Sequence, residues 1–221
     1  MALSINADRR RLALIDGQSL PWLPSPEGGV ERRMLERDGD EVALASSIVR
    51  YAPGSRFAPH THDLGEEFLV LEGTFSDESG DFSAGTYVRN PPGSRHAPFS
   101  ADGCVIFVKL RQMRDDETEV VRVAPQHRSW LPTGTPGISR ADLYANARSE
   151  VFLLRLASGA TLPPRASPGG EECFVMEGSI ELLTQMPHYL NSWSWRRSAD
   201  PLQPAIRSRA DTLLWMKRGH L

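Results

Sequence analysis

The chain states its framework twice. Trp22-Leu23-Pro24 returns as Trp130-Leu131-Pro132, and Gly29-Val30 returns as Gly137-Ile138, each 108 residues later. Gly54 returns as Gly159, and the run Glu66-Glu67 to Glu72-Gly73 returns as Glu171-Glu172 to Glu177-Gly178, here 105 residues later. Lys109 and Lys217 are again 108 apart. An offset that drifts by a few residues between anchors is what loop insertions do to a duplicated unit. The 221 residues therefore read as two units of about 110, a common domain size. The polar stretch Arg114-Asp115-Asp116-Glu117-Thr118 suggests domains 1–115 and 116–221.

Each unit reads as β structure. Val42 to Tyr51, Glu66 to Glu72 and Cys104 to Leu110 are short runs rich in apolar and β-branched residues. Pro53-Gly54, Gly73, Gly85 and Asn90-Pro91-Pro92-Gly93 punctuate the gaps between them. No segment sustains a helical period, and the expected fold class is all-β. The 17 prolines and 18 glycines fit many turns, and the 40% apolar content is enough for a core.

Composition also excludes partners. A formal net charge of −3 supplies no positive field for a phosphate backbone, so nucleic acid is not an expected partner. No 18-residue apolar run and no signal-peptide pattern occurs, so no membrane association and a cytoplasmic setting are expected. Cys104 and Cys173 lack any C-x-x-C spacing and read as buried structural thiols.

The chemistry concentrates in His60-Thr61-His62-Asp63-Leu64-Gly65-Glu66. Histidines two apart on an extended strand leave by the same face, and Glu66 shares their parity. Two imidazoles and a carboxylate on one face are a partial coordination set for a divalent metal. The run from Gly85 to His96 adds a third imidazole.

Together these segments resemble the paired motifs of the cupin superfamily. Gly54, His60, His62, Glu66 and Gly73 stand at the spacings of the first motif, and Gly85, Pro91, Gly93 and His96 at those of the second. Ser100 replaces the asparagine that closes the second motif, a position that is not a metal ligand. The resemblance implies two tandem jelly-roll β-barrels, a bicupin. It also implies one metal per chain, held by His60, His62, Glu66 and His96, with room for water or substrate. That donor set suits Zn, Fe, Mn, Ni or Cu without choosing among them.

Residues 20–112 are similar, more closely, to the cupin domain of ChrR-type anti-sigma factors. That family binds zinc through three histidines and a glutamate and serves stress-responsive transcription, which implies zinc as the first expected metal, a sensory or regulatory role and a protein partner. Its sigma-binding module carries a second zinc site of the form His-x3-Cys-x2-Cys, and residues 1–20 contain neither residue type. The sequence also resembles small metal-dependent dioxygenases that cleave diketone-like substrates, which makes an enzyme with a small-molecule ligand the alternative. A homodimer is compatible with either.

The second unit keeps the frame without the ligands. Aligned on Gly159, the His60 and His62 positions fall on Arg165 and Ser167, Glu66 falls on Glu171, and His96 falls among Pro201-Leu202-Gln203-Pro204. Arg165 is expected to pair with Glu171, a guanidinium in place of a metal. Asp63 is a candidate to orient a ligand imidazole. Tyr51, Arg56 and Arg95 are candidates to line the pocket, and Glu67, of opposite parity, should point away. His127, His188 and His220 read as surface or loop residues. Trp193 and Trp195 read as one face of a strand.

Overall fold

The computed structural model describes residues 3–221. The chain is all-β, and the only helical element among these residues is a 3-10 turn at Pro125–His127. The contacts divide it into two compact units.

In the first unit, the main sheet runs in the order Ser4–Ile5, Val30–Asp38, Leu44–Tyr51, Cys104–Leu110, Glu66–Asp77, Tyr87–Asn90, Val121–Val123. The period of two sorts its side chains. Glu66, Phe68 and Val70 share one parity, and Phe68 and Val70 pack with Ile106 and Val108 in a buried apolar cluster inside the barrel. Glu67 has the other parity and faces away, where it accepts hydrogen bonds from Tyr87 Oη at 2.8 Å and Arg89 Nη1 at 3.3 Å. Burying large side chains such as Phe68 or Phe75 stabilises the barrel by roughly 1.5–3 kcal/mol each.

The strand Glu66–Asp77 continues past Gly73, and its later part pairs with Gly80–Ser83 and Phe99–Ser100. Gly73 has φ of 70° and sits against Gly103, where a Cβ would come within 2.2 Å of the carbonyl oxygen. Only glycine fits. Its counterpart Gly178 meets Asp211 in the same way. A separate two-stranded ribbon joins His60–His62 to Ser94–His96.

The second unit repeats this plan. Its main sheet runs Leu131–Pro132, Ile138–Ala145, Glu150–Leu156, Thr212–Arg218, Glu171–Glu177, Ser194–Ser198, Ala13–Asp16. Cys173, Val175, Leu214 and Met216 are buried in its core.

The division between units is not a single cut at residue 115. Val121–Val123 pairs with Tyr87–Asn90 in the first unit, and Ala13–Asp16 pairs with Ser194–Ser198 in the second. Backbone pairing outweighs the polar composition of residues 114–118, because an unpaired sheet edge leaves its N–H and C=O groups without partners.

Two local expectations also change. Trp195 is fully buried on a strand, but Trp193 lies before that strand with φ of 67°, so the two do not share a strand face. His127 and His188 are exposed, whereas the His220 side chain is buried and its Nε2 lies 2.9 Å from Glu172 Oε2.

Both cysteines are free and buried. Burial pushes the Cys104 thiol up to about 11 and the Cys173 thiol up to about 12, and a thiol that stays protonated is a poor nucleophile. At pH 8 the folded chain should therefore leave both thiols unreactive toward a disulfide reagent, and denaturant should release two per chain. Rapid labelling of either in the folded protein contradicts this burial.

Candidate metal centre

The ribbon builds the site. His60 pairs with His96 across it and His62 pairs with Ser94, so all three imidazoles gather at one end of the first barrel. Their ring centroids lie 4.7–5.0 Å apart. His60, His62 and His96 form a group able to hold a metal ion, with one nitrogen from each inside a 4.8 Å span. His62 Nε2 and His96 Nε2 are 2.9 Å apart, and Glu66 Oε2 is 3.5 Å from each. Nitrogen–metal bonds of about 2.0–2.1 Å let one ion contact any two donors closer than about 4 Å. His62, His96 and Glu66 meet this limit, and His60 lies within 4.8 Å of the two imidazoles.

Surrounding groups fix which nitrogen is free. The Ala58 carbonyl, 2.9 Å from His60 Nδ1, can only accept, so that nitrogen carries the proton and Nε2 keeps its lone pair. Asp77 Oδ2 does the same for His96 Nδ1 at 3.1 Å. This carboxylate–imidazole contact orients a ring and strengthens it as a donor.

Glu66 is buried and accepts from Asn90 Nδ2 at 2.9 Å. Arg122 Nη2, which can only donate, holds Asn90 Oδ1 at 2.7 Å and so sets the amide's orientation. The relay Arg122–Asn90–Glu66 satisfies a carboxylate that would be costly to bury alone.

Burial, the largest influence, lowers His62 below its ordinary value, and Glu66 opposes this only in part. Burial also pulls His96 down, but the hydrogen bond to Asp77 and the charges of Glu66, Asp77 and Glu78 outweigh it, and the net shift is upward. Burial works against the Asp77 carboxylate as well, yet the bonds from His96 and the Ser79 N–H leave it below its ordinary value.

A cavity of about 620 Å³ opens onto His60, His62 and Glu66. Val30, Val49, Tyr51, Phe57, Ile106 and Val108 make its wall apolar, and the charged pair Arg32–Glu41, 3.1 Å apart, stands among its lining groups. Tyr51 packs its ring on Phe57 and Phe75. Burial first, and then the charge of Glu66, push its phenol well above the usual range. The other pocket candidates lie elsewhere: Arg56 is exposed over the Phe99 ring, and Arg95 is exposed. Asp63 is exposed too, capping Leu64 N–H and pairing with Arg111. The orienting carboxylate is Asp77, not Asp63.

Asp77, Asn90 and Arg122 are the residues that motif spacing missed. Asn90 was recoverable from register alone, since it pairs with Glu66. Asp77 and Arg122 carry no local signal.

The family described as ChrR Cupin-like domain matches residues 10–114. Residues 10–114 thus match a cupin family, and the chain has the cupin fold. The cupin frame extends beyond the matched residues, because solved structures align over nearly the whole chain. Protein Ylba from E. coli is 17% identical, with a TM-score of 0.75, covering 99% of this chain and 94% of its own. Lactobacillus farciminis oxalate decarboxylase, in a formate complex, is 10% identical with a TM-score of 0.65, covering 93% of this chain and 85% of its own. Streptomyces albus HEPD, with 2-hydroxyethylphosphonate and Fe(II) bound, is 9% identical with a TM-score of 0.71, covering 98% of this chain and 77% of its own. At these identities the likeness is one of fold. A comparison with curated protein sequences gives no significant match. Among the described residues, no helix is long and apolar enough to cross a membrane.

Imidazoles must be neutral to bind metal, so protons compete. Because His96 titrates above its ordinary value, the competition begins at a higher pH than for a free histidine. Metal affinity should fall as pH drops from 8 to 5.5, and Asp77→Asn should move that fall to lower pH while weakening binding at pH 8 by about 10–100-fold. Competition titrations with a chromogenic chelator across this range measure both effects. An unchanged profile in the variant excludes the assigned role of Asp77.

Proposed function

We propose that the first unit is a zinc-holding, ChrR-like cupin domain with a regulatory role, and that a small molecule entering its cavity changes what the protein does to a partner. His60, His62 and His96 through Nε2, and Glu66 through its carboxylate, would hold the ion. The observation that carries the reading is the convergence of these four side chains, each but His62 held by a named hydrogen bond from outside the set. Such support suits a centre that is kept rather than exchanged. The match of residues 10–114 to the ChrR cupin-like family favours the regulatory side.

A second reading rests on the cavity. A 620 Å³ space beside the imidazoles is large enough for a small organic substrate, and an apolar wall with one phenol is the usual make-up of a ligand site. The alternative is therefore a metal-dependent dioxygenase acting on a small diketone-like substrate. A bound divalent ion would supply Lewis acidity or redox chemistry. The chain itself would position the substrate against the apolar wall, exclude water, and offer Tyr51 as a protonated hydrogen-bond donor.

Metal content separates the two readings. Protein purified without added metal should carry about one zinc per chain, and the double change His60→Ala, His62→Ala should abolish it. About one full equivalent surviving in that variant refutes the ligand assignment. Iron with oxygen uptake on a 1,3-diketone replaces the regulatory reading by the enzymatic one.

A further inference from the structure

The second unit fills the same place differently. Arg165 pairs with Gln203 as His60 pairs with His96, and Glu171 pairs with Ser198 as Glu66 pairs with Asn90. Register thus puts Gln203 at the His96 position. Arg165 is fully used: Nε donates to Glu171 Oε2 at 2.8 Å, Nη2 donates to Oε1, and Nη1 reaches the Pro204 carbonyl at 3.1 Å.

A second guanidinium is not fully used. Arg196 pairs with Cys173 as Val88 pairs with Phe68, so it occupies a position that is apolar core in the first unit. It is only 3% exposed. Its Nη2 donates to Gln203 Oε1 at 2.6 Å, and Nη1 lies 3.5 Å from Glu171 Oε1, beyond good hydrogen-bond geometry. Nε and Nη1 are buried without a hydrogen-bond acceptor among the described residues. A buried and a partly buried guanidinium thus share the buried Glu171 carboxylate, and Arg196 is left short of hydrogen-bond acceptors, a costly state in a low-dielectric interior. Burial lowers Arg196 below its ordinary value, in line with that cost.

This charge borders space. A cavity of about 1040 Å³ within the second unit is lined by Arg196, Gln203 and Ser198, with Arg10, His188 and Asp200 also on its wall. Of the other charges there, Arg10 pairs with Asp8 at 2.9 Å, and Asp200 caps Leu202 N–H through Oδ1 at 2.8 Å while its negative charge also favours the charged form of Arg196.

We propose that the second barrel binds a small oxyanion, a carboxylate or a phosphate, on Arg196. The oxyanion supplies, through charge-assisted hydrogen bonds, the acceptors that Nε and Nη1 lack. The site is separate from the metal centre and does not depend on it.

Thermal unfolding of the full chain tests this, with sodium acetate or sodium phosphate against sodium chloride at equal ionic strength. The His60→Ala, His62→Ala chain runs in parallel, so that an anion binding to metal in the first unit is not mistaken for the effect. Both chains should gain about 5 °C at a hundredfold excess over Kd. A response to acetate alone assigns a carboxylate ligand, and a response to phosphate alone assigns a phosphate. Arg196→Met should lose the response. Gln203→Glu places a resident carboxylate against Arg196, so it should raise the melting temperature without added anion and also lose the response. If Arg196→Met proves insoluble, Gln203→Glu decides alone. An unresponsive parent chain, or an unchanged response in the soluble Arg196→Met or in Gln203→Glu, overturns the proposal.

Discussion

The candidate metal centre depends on the alternation of side chains from Glu66 to Val70. Glu66 and Glu67 are neighbours in sequence and lie on opposite faces of the sheet. Glu66 points into the barrel with Phe68 and Val70, toward the three imidazoles, while Glu67 meets Tyr87 and Arg89 on the other side. A slip of one residue would exchange the two carboxylates and send the apolar set outward. Gly73 and the apolar cluster hold the register, and the ribbon His60–His62 with Ser94–His96 brings the imidazoles to the same end.

The two units give the same scaffold opposite electrostatic contents. In the first, three imidazoles that could hold a metal ion stand beside a buried carboxylate. In the second, Arg165 brings its own cation to the equivalent carboxylate and closes on it with two hydrogen bonds. The exchange goes with a changed core, since Cys173 and Arg196 stand where the first unit has Phe68 and Val88. Removing an aromatic ring makes room for a long cation. Duplication has kept the backbone plan and released the interior to vary.

The frame was legible because glycine and histidine spacings report backbone requirements directly. The repeat, the all-β class and the pairing of Arg165 with Glu171 could all be read from residues alone. The supporting shell could not. Asp77 and Arg122 reach His96 and Asn90 only after the strand carrying each has folded back, and neither has a pattern of its own. Spacing left the His96 equivalent open among residues 201–204, and only the ladder with Arg165 selects Gln203. Trp193 and Trp195 mimic strand alternation, but the positive φ of Trp193 puts it in a turn. His220 is distant in sequence from Glu172, and nothing nearby announces their contact.

Val121–Val123 finishes the first unit's sheet, and Ala13–Asp16, near the start of the chain, finishes the second's. On the ribosome, this lacing makes assembly sequential in an unusual way. The first sheet gains its last strand only after residue 123 has emerged. The segment around Ala13–Asp16 is made long before its partner and waits while the chain up to Ser194–Ser198 is synthesised. Its polar flanks, Asp8-Arg9-Arg10-Arg11 and Asp16-Gly17-Gln18, are the kind of sequence that keeps such an unmatched strand in solution.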